Sequence, residues 1–342
     1  MKNKTAIAAL VVSVVSLCFS AFCLGTMYGE NTHKETSADK PLEVQRAWEG
    51  ESSQAEDIKG EKLTAAPLNI PEDARVSYLG PAGTYTEGAA KAFFPETAQL
   101  SPQETVDDAL AQLSEGKADY SVIPQENTIG GAVTNYVDAL LAAEDVYVVG
   151  EVVLPISQTL MGIKGTQLSD IKTVCSHAQG IAQSQEWRKT NLPDAVTEEK
   201  DSTAAAADYV AKKGDKSVAA IAAPGAAQLY GLEVLAENVQ ITMENKTRFY
   251  VLSKEKPEAG HQAAVFAVKC TADRIDDVIV ALHEAGLEMA AIHDRPEGSA
   301  LGSYNFIVEV ENHSGITEKQ LSAVKDFEEV RLLGVFDRLT VK

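Results

Sequence analysis

The chain is poor in cysteine and in positive charge. It has four cysteines in 342 residues, and two of them, Cys18 and Cys23, stand near the N-terminus. Cys175 and Cys270 lie in different predicted domains, each within an apolar strand pattern, so we interpret both as buried free thiols and expect no disulfide framework. The 50 acidic and 30 basic residues give a formal net charge of −20 at pH 7. This charge argues against nucleic acid and anionic membrane surfaces as partners of the folded part.

The sequence also lacks the patterns of metal and nucleotide sites. No Cys/His spacing is typical of a metal centre, and no glycine-rich loop matches a dinucleotide-binding fingerprint. We therefore predict no metal and no cofactor. Arginine is scarce, because only Arg188 and Arg248 occur between Arg75 and Arg274. An anionic ligand would depend on these few arginines, on hydroxyl groups and on helix N-termini.

The N-terminus carries one long hydrophobic run. Lys2 and Lys4 precede a charge-free stretch from Thr5 to Gly29. Its length suits either a signal peptide or a single membrane-spanning helix, and a buried helix of a cytosolic protein is the third interpretation. The flanking lysines favour export of the chain beyond this run. We therefore assign residues 1–29 to a leader or membrane anchor and residues 30–74, rich in Glu, Lys, Ser and Ala, to a flexible linker, and expect the rest to be extracytoplasmic, either anchored or secreted.

From Arg75 the pattern alternates between strands and helices. A strand at Val76–Leu79 is followed by helical spacing through Val106 and Leu113, and by a strand from Tyr120 that Pro124 is expected to end. A second round comes next, including a helix predicted over 178–189. Such repeats predict an α/β fold with mixed or parallel sheets. Two rounds indicate two lobes with a ligand cleft between them, in a domain spanning residues 75–255.

Residues 262–340 show a different order of elements. The predicted order is strand, helix, strand, strand, helix, strand, over 263–269, 275–285, 288–293, 304–311, 317–325 and 330–336. This βαββαβ order is that of a ferredoxin-like domain.

Five short segments, in order, carry a resemblance to a known family. They are Gly80-Pro81-Ala82-Gly83-Thr84-Tyr85-Thr86, Pro124-Gln125-Glu126-Asn127-Thr128-Ile129-Gly130-Gly131, Ser176-His177-Ala178-Gln179, Asp201-Ser202-Thr203-Ala204-Ala205 and Thr247-Arg248-Phe249. Together they resemble the prephenate dehydratases, and the C-terminal part resembles an ACT domain. The resemblance implies a two-lobed catalytic domain like that of periplasmic binding proteins, a lyase of phenylalanine biosynthesis with prephenate as its small-molecule substrate, and a homodimer.

The resemblance also implies roles for individual residues. Thr247 would assist departure of the ring hydroxyl of prephenate, since a hydroxyl can donate a hydrogen bond to a leaving oxygen in a water-poor cleft. Arg248 would grip a substrate carboxylate with two parallel hydrogen bonds, and Phe249 would line the ring pocket or belong to the core. On a strand, Thr247 and Phe249 share one face, and Arg248 lies on the other face or at the end of the strand.

The remaining candidate residues are hydroxyl and amide groups near predicted strand and helix ends. The substrate-binding set also includes Thr84, Thr86, Glu126, Asn127, Thr128, Ser202 and Thr203. Ser202 and Thr203 head an alanine-rich helix, so capping alone would also explain them. In the C-terminal domain the resemblance assigns an effector-binding segment to His293, Asp294, Arg295 and Pro296. It leaves open whether phenylalanine binds there or whether the domain only dimerises.

Two other functions stay open from the sequence. Arogenate, which carries an amino group where prephenate has a keto group, is an alternative substrate. An exported protein that binds or senses aromatic acids without turnover is a second alternative, because prephenate is made in the cytoplasm and export of its dehydratase is metabolically unusual.

Overall fold

The computed structural model describes residues 68–242, 244–298, 301–327 and 329–341. The strands in this part of the chain are β1 (Arg75–Leu79), β2 (Gln99–Gln103), β3 (Tyr120–Asn127), β4 (Gly131–Ala132), β5 (Tyr147–Pro155), β6 (Thr159–Gly162), β7 (Thr173–Ser176), β8 (Val196–Glu199), β9 (Val218–Ala222), β10 (Glu233–Ala236), β11 (Lys246–Ser253), β12 (Ala263–Thr271), β13 (Glu288–Pro296), β14 (Ser303–Glu311), β15 (Val330–Phe336) and β16 (Arg338–Thr340). The helices are α1 (Tyr85–Phe93), α2 (Val106–Ser114), α3 (Thr134–Ala142), α4 (Ala178–Gln183), α5 (Gln185–Asn191), α6 (Thr203–Lys213), α7 (Pro224–Tyr230), α8 (Ile275–Glu284) and α9 (Glu318–Leu321), with 3₁₀ turns at Leu168–Asp170 and Ser322–Val324.

The strands form two sheets that correspond to two lobes. The larger sheet has the order β13-β14-β12-β15-β5-β11-β3-β1-β2, with β16 beside β5 and β4 beside β3. The smaller has the order β10-β6-β9-β7-β8. The chain enters the small lobe between β5 and β6 and returns between β10 and β11, so both connections run between the lobes. This arrangement confirms the predicted two-lobed α/β fold.

Contacts across the cleft involve the loop that precedes α1. The Tyr85 hydroxyl donates to the Ser157 carbonyl at 2.7 Å, and the Tyr230 hydroxyl on α7 donates to the Ala82 carbonyl at 2.9 Å. The first residue of α1 therefore contacts the connection between the lobes, and the loop before α1 contacts a helix of the second lobe.

The C-terminal elements form the predicted ferredoxin-like domain. Strands β12, β13, β14 and β15 with α8 and α9 follow the βαββαβ order, and the spatial order β15-β12-β14-β13 is antiparallel throughout. This order of elements agrees with the sequence pattern.

This domain is continuous with the first lobe. β15 pairs in parallel with β5 at Gly334 and Val148, and β16 adds three further pairs to β5. A Cβ at Gly334 would lie 2.1 Å from the Val148 carbonyl oxygen, so this approach needs glycine. The Arg331 guanidinium donates to the carbonyls that end α3, including that of Leu140 at 3.0 Å. One hydrophobic core includes residues of α2, α3 and β3 together with residues of β12 and β15.

Several element boundaries differ from the sequence prediction. β3 runs on to Asn127 instead of ending at Pro124, and the pairing of β3 with β11 shifts register beside this proline. A bulge tolerates a residue without an N–H group. The helix predicted over 178–189 is two helices that meet at Ser184. The sequence pattern does not indicate β2, because it is an edge strand, largely exposed and interrupted by Pro102.

The predicted leader or anchor (residues 1–29) and most of the predicted linker lie outside the described residues. Within the described part, no helix has both the length and the apolarity that a membrane crossing requires.

Candidate active site

A cavity of about 280 Å³ lies between the two lobes. Its walls come from the β1–α1 loop, the end of β3 and the start of β11 in the first lobe, and from the N-terminal ends of α4 and α6 in the second. The predicted residues that line it are Thr84, Thr86, Asn127, Ser202, Thr203, Thr247 and Phe249. Residues distant in sequence therefore meet at one cleft.

Thr247 stands at the start of β11 with its hydroxyl supported from the neighbouring strand. It pairs with Asn127 of β3, whose Nδ2 donates to Thr247 Oγ1 at 2.9 Å. The side chain of Thr247 is almost buried, since the residue is 9 % exposed. Among the described residues, none accepts a hydrogen bond from the Thr247 hydroxyl. Because Asn127 occupies a lone pair of this oxygen, the hydroxyl proton is available to a ligand in the cavity.

The orientation of Asn127 is set by the loop after β3. The backbone N–H groups of Ile129 and Gly130 donate to Asn127 Oδ1 at 3.1 and 2.9 Å, and Gln179 Nε2 donates to the same oxygen at 3.2 Å. Backbone N–H groups are obligate donors, so Oδ1 must face them and Nδ2 must face Thr247. The second lobe thus helps to hold the amide that supports the threonine.

Three helix N-termini open onto the cavity, that of α1 in the first lobe and those of α4 and α6 in the second. Thr84 caps α1, and its hydroxyl accepts from the Glu87 N–H at 3.4 Å. Ser202 caps α6, and its hydroxyl accepts from the Ala205 N–H at 2.9 Å. Helix N-termini present N–H groups and partial positive charge to anions. None of the described residues that line the cavity is lysine or arginine, so the helix N-termini would carry the attraction for an anionic ligand.

Arg248 does not line the cavity, which corrects the prediction that it grips a substrate carboxylate. Its Nε and Nη2 bind the two oxygens of Glu151 at 3.0 and 2.6 Å, and Nη2 also binds Glu309 of the C-terminal domain. Glu126 accepts from Arg248 Nη1 at 3.2 Å and is likewise absent from the cavity wall. The physical reason is strand alternation, which turns Arg248 to the face opposite Thr247.

Arg248 and its partners form an ion cluster, defined by Arg248, Arg338, Glu126, Glu151 and Glu309. The side chains of Glu151 and Glu309 are buried, whereas those of Glu126 and Arg338 are 33% and 35% exposed. Arg338 binds Glu151 at 2.7 Å and Glu309 at 3.1 Å. Burial lowers the pKa of Arg248, but the hydrogen bond to Glu151 and the charges of Glu309 and Glu151 outweigh it, so the net pKa is raised. Burial raises the pKa of Glu309 despite the opposing charge of Arg248.

Two further predicted residues have structural partners. The Thr128 hydroxyl donates to the Lys246 carbonyl and accepts from the Lys246 N–H, both at 2.8 Å, and the residue does not line the cavity. Its hydroxyl is therefore used to join the β3–β4 turn to β11, and the prediction that it contacts substrate is not supported. Phe249 lines the cavity and also packs in the core of the first lobe at 1 % exposure. Its predicted contact with the substrate ring stays a prediction.

Comparisons with known proteins agree with this geometry. The family model for prephenate dehydratase matches residues 76–257. The prephenate dehydratase of Lactococcus lactis subsp. cremoris is 34% identical over 272 residues, covering 78% of this chain and 95% of that protein. The chain belongs to the prephenate dehydratase family.

Other relatives cover the same region. The bifunctional chorismate mutase/prephenate dehydratase of Neisseria gonorrhoeae is 36% identical over 249 residues, which are 72% of this chain and 68% of that protein. The crystal structure of the Arthrobacter aurescens prephenate dehydratase in complex with L-Phe has a TM-score of 0.70 at 29% identity, covering 77% of this chain and 90% of that one. GqqA, described as a novel type of quorum quenching acylase, has a TM-score of 0.68 at 26% identity, covering 77% and 97%. The predicted family and its lyase class are confirmed.

The predicted effector segment lies on β13, where its side chains alternate. Arg295 binds Asp138 of α3 through Nε at 2.8 Å and Nη2 at 2.6 Å, and His293 Nδ1 is hydrogen-bonded to the Tyr136 hydroxyl of the same helix. Asp294 and Pro296 are exposed. The four residues of the predicted effector segment therefore do not share one face of the strand, and two of them, His293 and Arg295, already bind the catalytic lobe.

The predicted set of substrate-binding residues does not include a group of amides at the cavity, of which Gln158, Gln183 and Asn245 are buried. Gln158, Gln183 and Asn245 line it beside Asn127, and Gln179 and His177 complete this side. Asn245 directly precedes β11, and Gln158 lies shortly after the proline that ends β5, so adjacency to the recognised motifs was the available signal. Amides are common surface residues, and only the tertiary structure shows that these are buried together.

Proposed function

We propose that the protein catalyses the decarboxylative dehydration of prephenate to phenylpyruvate. The C–C bond to the ring carboxylate breaks and its electron pair enters the ring, while the ring C–O bond breaks and hydroxide leaves. Aromatisation drives the reaction, so the protein has to orient the dianion and assist the leaving group. The observation that carries the proposal is the Thr247 hydroxyl, held at the cavity by Asn127 at 2.9 Å with its proton free for a ligand.

In this proposal Thr247 donates a hydrogen bond to the departing oxygen as negative charge develops there. Thr84 and Ser202, at the N-termini of α1 and α6, hold the two carboxylates through hydroxyl and backbone N–H groups. Because the helices belong to different lobes, a dianionic substrate would bridge the lobes and close the cleft. Phe249 provides an apolar wall for the ring.

The test is turnover of prephenate by the purified protein, followed as phenylpyruvate formation. Thr247→Val keeps the shape and removes the donor, so we expect kcat to fall about 10²- to 10³-fold, as for the loss of one preorganised donor. Thr247→Ser keeps the donor and is the matched control, with most of the rate retained. A wild-type protein that leaves prephenate unchanged would refute the proposal, and equal rates for the valine and serine variants would refute the role of Thr247.

We also propose that the catalytic part works outside the cytoplasm. The support is the charge-free run from Thr5 to Gly29 behind Lys2 and Lys4. The test is a fusion of the chain to a reporter enzyme that is active only after export. The control is the same fusion with the Thr5–Gly29 run deleted, and equal reporter activity of both fusions would contradict the proposal. This location also favours the second candidate function, binding of an aromatic acid without turnover, which calorimetry would reveal as saturable binding with no product.

The oligomeric proposal rests on the edge strand β13. It ends the large sheet, and Met289 and Ile292 on it are 49 % and 37 % exposed. We propose that two copies associate through this apolar edge and that phenylalanine binds between them as an effector. Sedimentation velocity with and without phenylalanine, together with initial rates, tests both parts; a monomer whose rate is unaffected by phenylalanine contradicts them.

A further inference from the structure

His177 is the one histidine among the described residues that line the cavity. It directly follows β7 and caps α4, the short helix that begins at Ala178. β7 and β8 are adjacent parallel strands, in which Ser176 pairs with Glu199. Because the carboxyl ends of parallel strands meet at the same edge of a sheet, His177 lies on the same side of the small lobe as Ser202, which caps α6 after β8.

The backbone around His177 is held by close packing between these elements. The Lys200 N–H donates to the Ser176 carbonyl at 2.9 Å, which joins the ends of the two strands. A Cβ at Gly180 would overlap Ser176 Oγ and would lie 3.5 Å from Thr203 Cγ2, so α4 lies directly against β7 and the first residue of α6. The imidazole of His177 is therefore carried on a rigid part of the cavity wall.

The proton of the His177 imidazole can be placed from its capping bond. Nδ1 accepts a hydrogen bond from the Gln179 N–H at 3.3 Å. A backbone N–H can only donate, so Nδ1 carries no proton and the neutral ring carries its proton on Nε2. Turning the ring over would place a carbon atom against the Gln179 N–H and leave this donor without its acceptor.

The Nε2 donor of His177 is unused within the part of the chain that the structure describes. No described residue forms a hydrogen bond or an ion pair with it. His177 is only partly buried, and Nε2 is not one of the fully buried polar atoms that lack a partner, so this nitrogen is accessible. Capping thus uses one ring nitrogen and leaves the other as an accessible donor on a residue of the cavity wall.

The amide nitrogens at the cavity are in the opposite situation. Those of Asn127, Asn245, Gln158 and Gln179 each donate to another side chain. Lysine and arginine are absent from the described lining residues. An unpaired N–H whose proton position is fixed is therefore a scarce group here, and it suits an anionic oxygen, with which hydrogen bonds are strongest.

From these observations we infer that His177 binds the substrate through Nε2, donating a hydrogen bond to the carboxylate that lies on the side of α6. The inference rests on the proposed function, which identifies the ligand as a dianion that bridges the lobes. The role is binding and not proton transfer: loss of the Nε2 proton would leave an anionic ring, and a second proton would have to enter at Nδ1, which faces the Gln179 N–H. A contact made equally to the bound substrate and to the transition state affects KM and leaves kcat unchanged.

Two substitutions of His177 in the full-length protein separate its two nitrogens. His177→Asn keeps an acceptor at the position of Nδ1, and so keeps the cap, but has no donor at the position of Nε2. We expect its KM for prephenate to rise about 10- to 100-fold, as for loss of a hydrogen bond to a charged group, with kcat close to that of the wild type. His177→Gln places an amide nitrogen near the position of Nε2 and loses the cap. Its KM should stay close to that of the wild type, while its urea midpoint should fall.

The opposite order of the two variants would overturn the inference. A histidine that only caps α4 gives a wild-type KM for His177→Asn and an impaired His177→Gln. A fall in kcat at constant KM for His177→Asn would also overturn it, because the residue would then act in the chemical step. The asparagine variant retains the cap, so the test does not depend on the folding of the glutamine variant.

A binding measurement keeps this inference distinct from the proposed reaction. If the wild type leaves prephenate unchanged, the reaction is refuted. The dissociation constant of prephenate, measured by calorimetry for the wild type and His177→Asn, then still tests the contact. Weaker binding to the variant supports the role of His177, and equal dissociation constants overturn it.

Discussion

Replacing Arg248 by methionine tests whether this residue holds the fold or the substrate. Arg248 is shared by Glu126, Glu151 and Glu309, and the latter two side chains are 0% and 1% exposed. Removing one partner of a buried ion pair leaves an uncompensated buried charge, which typically costs about 3–5 kcal/mol. Arg338 still contacts both buried carboxylates, so we expect a loss near the lower limit, about 3 kcal/mol of the free energy of unfolding.

The assay is urea unfolding followed by circular dichroism, with kinetics on the variant under conditions where it stays folded. Arg75→Met is the matched control, because Arg75 pairs with Asp119 through a similar bidentate contact but both side chains are largely exposed, at 46% and 39%. Its urea midpoint should stay close to that of the wild type, since exposed pairs contribute little.

The kinetic result separates the two roles. A residue that positions β11 should lower kcat through misplacement of Thr247 and leave KM for the substrate nearly unchanged. An Arg248→Met variant as stable as the wild type with a strongly raised KM would refute our interpretation and support the substrate contact that the sequence predicted.

Three further predictions concern other contacts. Burial raises the pKa of Glu309 above its unfolded value, so the contribution of Glu309 to stability is greatest below the unfolded pKa and is lost as pH rises through the folded pKa. Glu309→Gln should remove this pH-dependent loss of stability. The measurement is the difference in urea midpoint between wild type and variant as a function of pH, and a difference that does not change with pH would contradict the prediction. Gly334→Ala would place a Cβ 2.1 Å from the Val148 carbonyl oxygen and should lower stability by about 3 kcal/mol or more in a thermal melt. Gly225→Ala, where no atom lies within 4 Å of the added Cβ, is its control, and equal melting temperatures would contradict the close approach. Asn127→Asp replaces the Nδ2 donor by an acceptor facing the catalytic hydroxyl, so kcat should fall at least about tenfold with a smaller change in KM, and an unchanged kcat would show that this support is dispensable.

The contacts of Arg248 could not be predicted from the motif resemblance. Residues 247–249 form one motif, and alternation along the strand correctly separates Arg248 from Thr247 and Phe249. Yet the sequence allows two positions for Arg248, the opposite face or the end of the strand. The predicted contact of Arg248 with a substrate carboxylate requires the second position. Its actual partner Glu309 lies in the other domain, 61 residues away, and no local pattern links the two.

The C-terminal domain is a similar case. Its βαββαβ order is readable because each element has its own hydrophobic period and its own turns. The sequence does not predict that β15 and β16 continue the sheet of the catalytic lobe, because their partner β5 lies far from them in sequence. The resemblance assigns the effector segment to four consecutive residues, whereas alternation of side chains along β13 turns His293 and Arg295 towards α3.

Sequence alone determined the family, the alternation of strands and helices, the capping residue Ser202, and the hydroxyl at Thr247. These depend on local propensity, side-chain period and short motifs, which act between near neighbours along the chain. Tertiary structure alone decided which face of β11 meets the cavity, which carboxylates surround Arg248, and that the amides of Asn127, Asn245, Gln183 and Gln158 are joined by hydrogen bonds. Those features arise from contacts between segments tens of residues apart, whose relative placement depends on the packing of the whole fold.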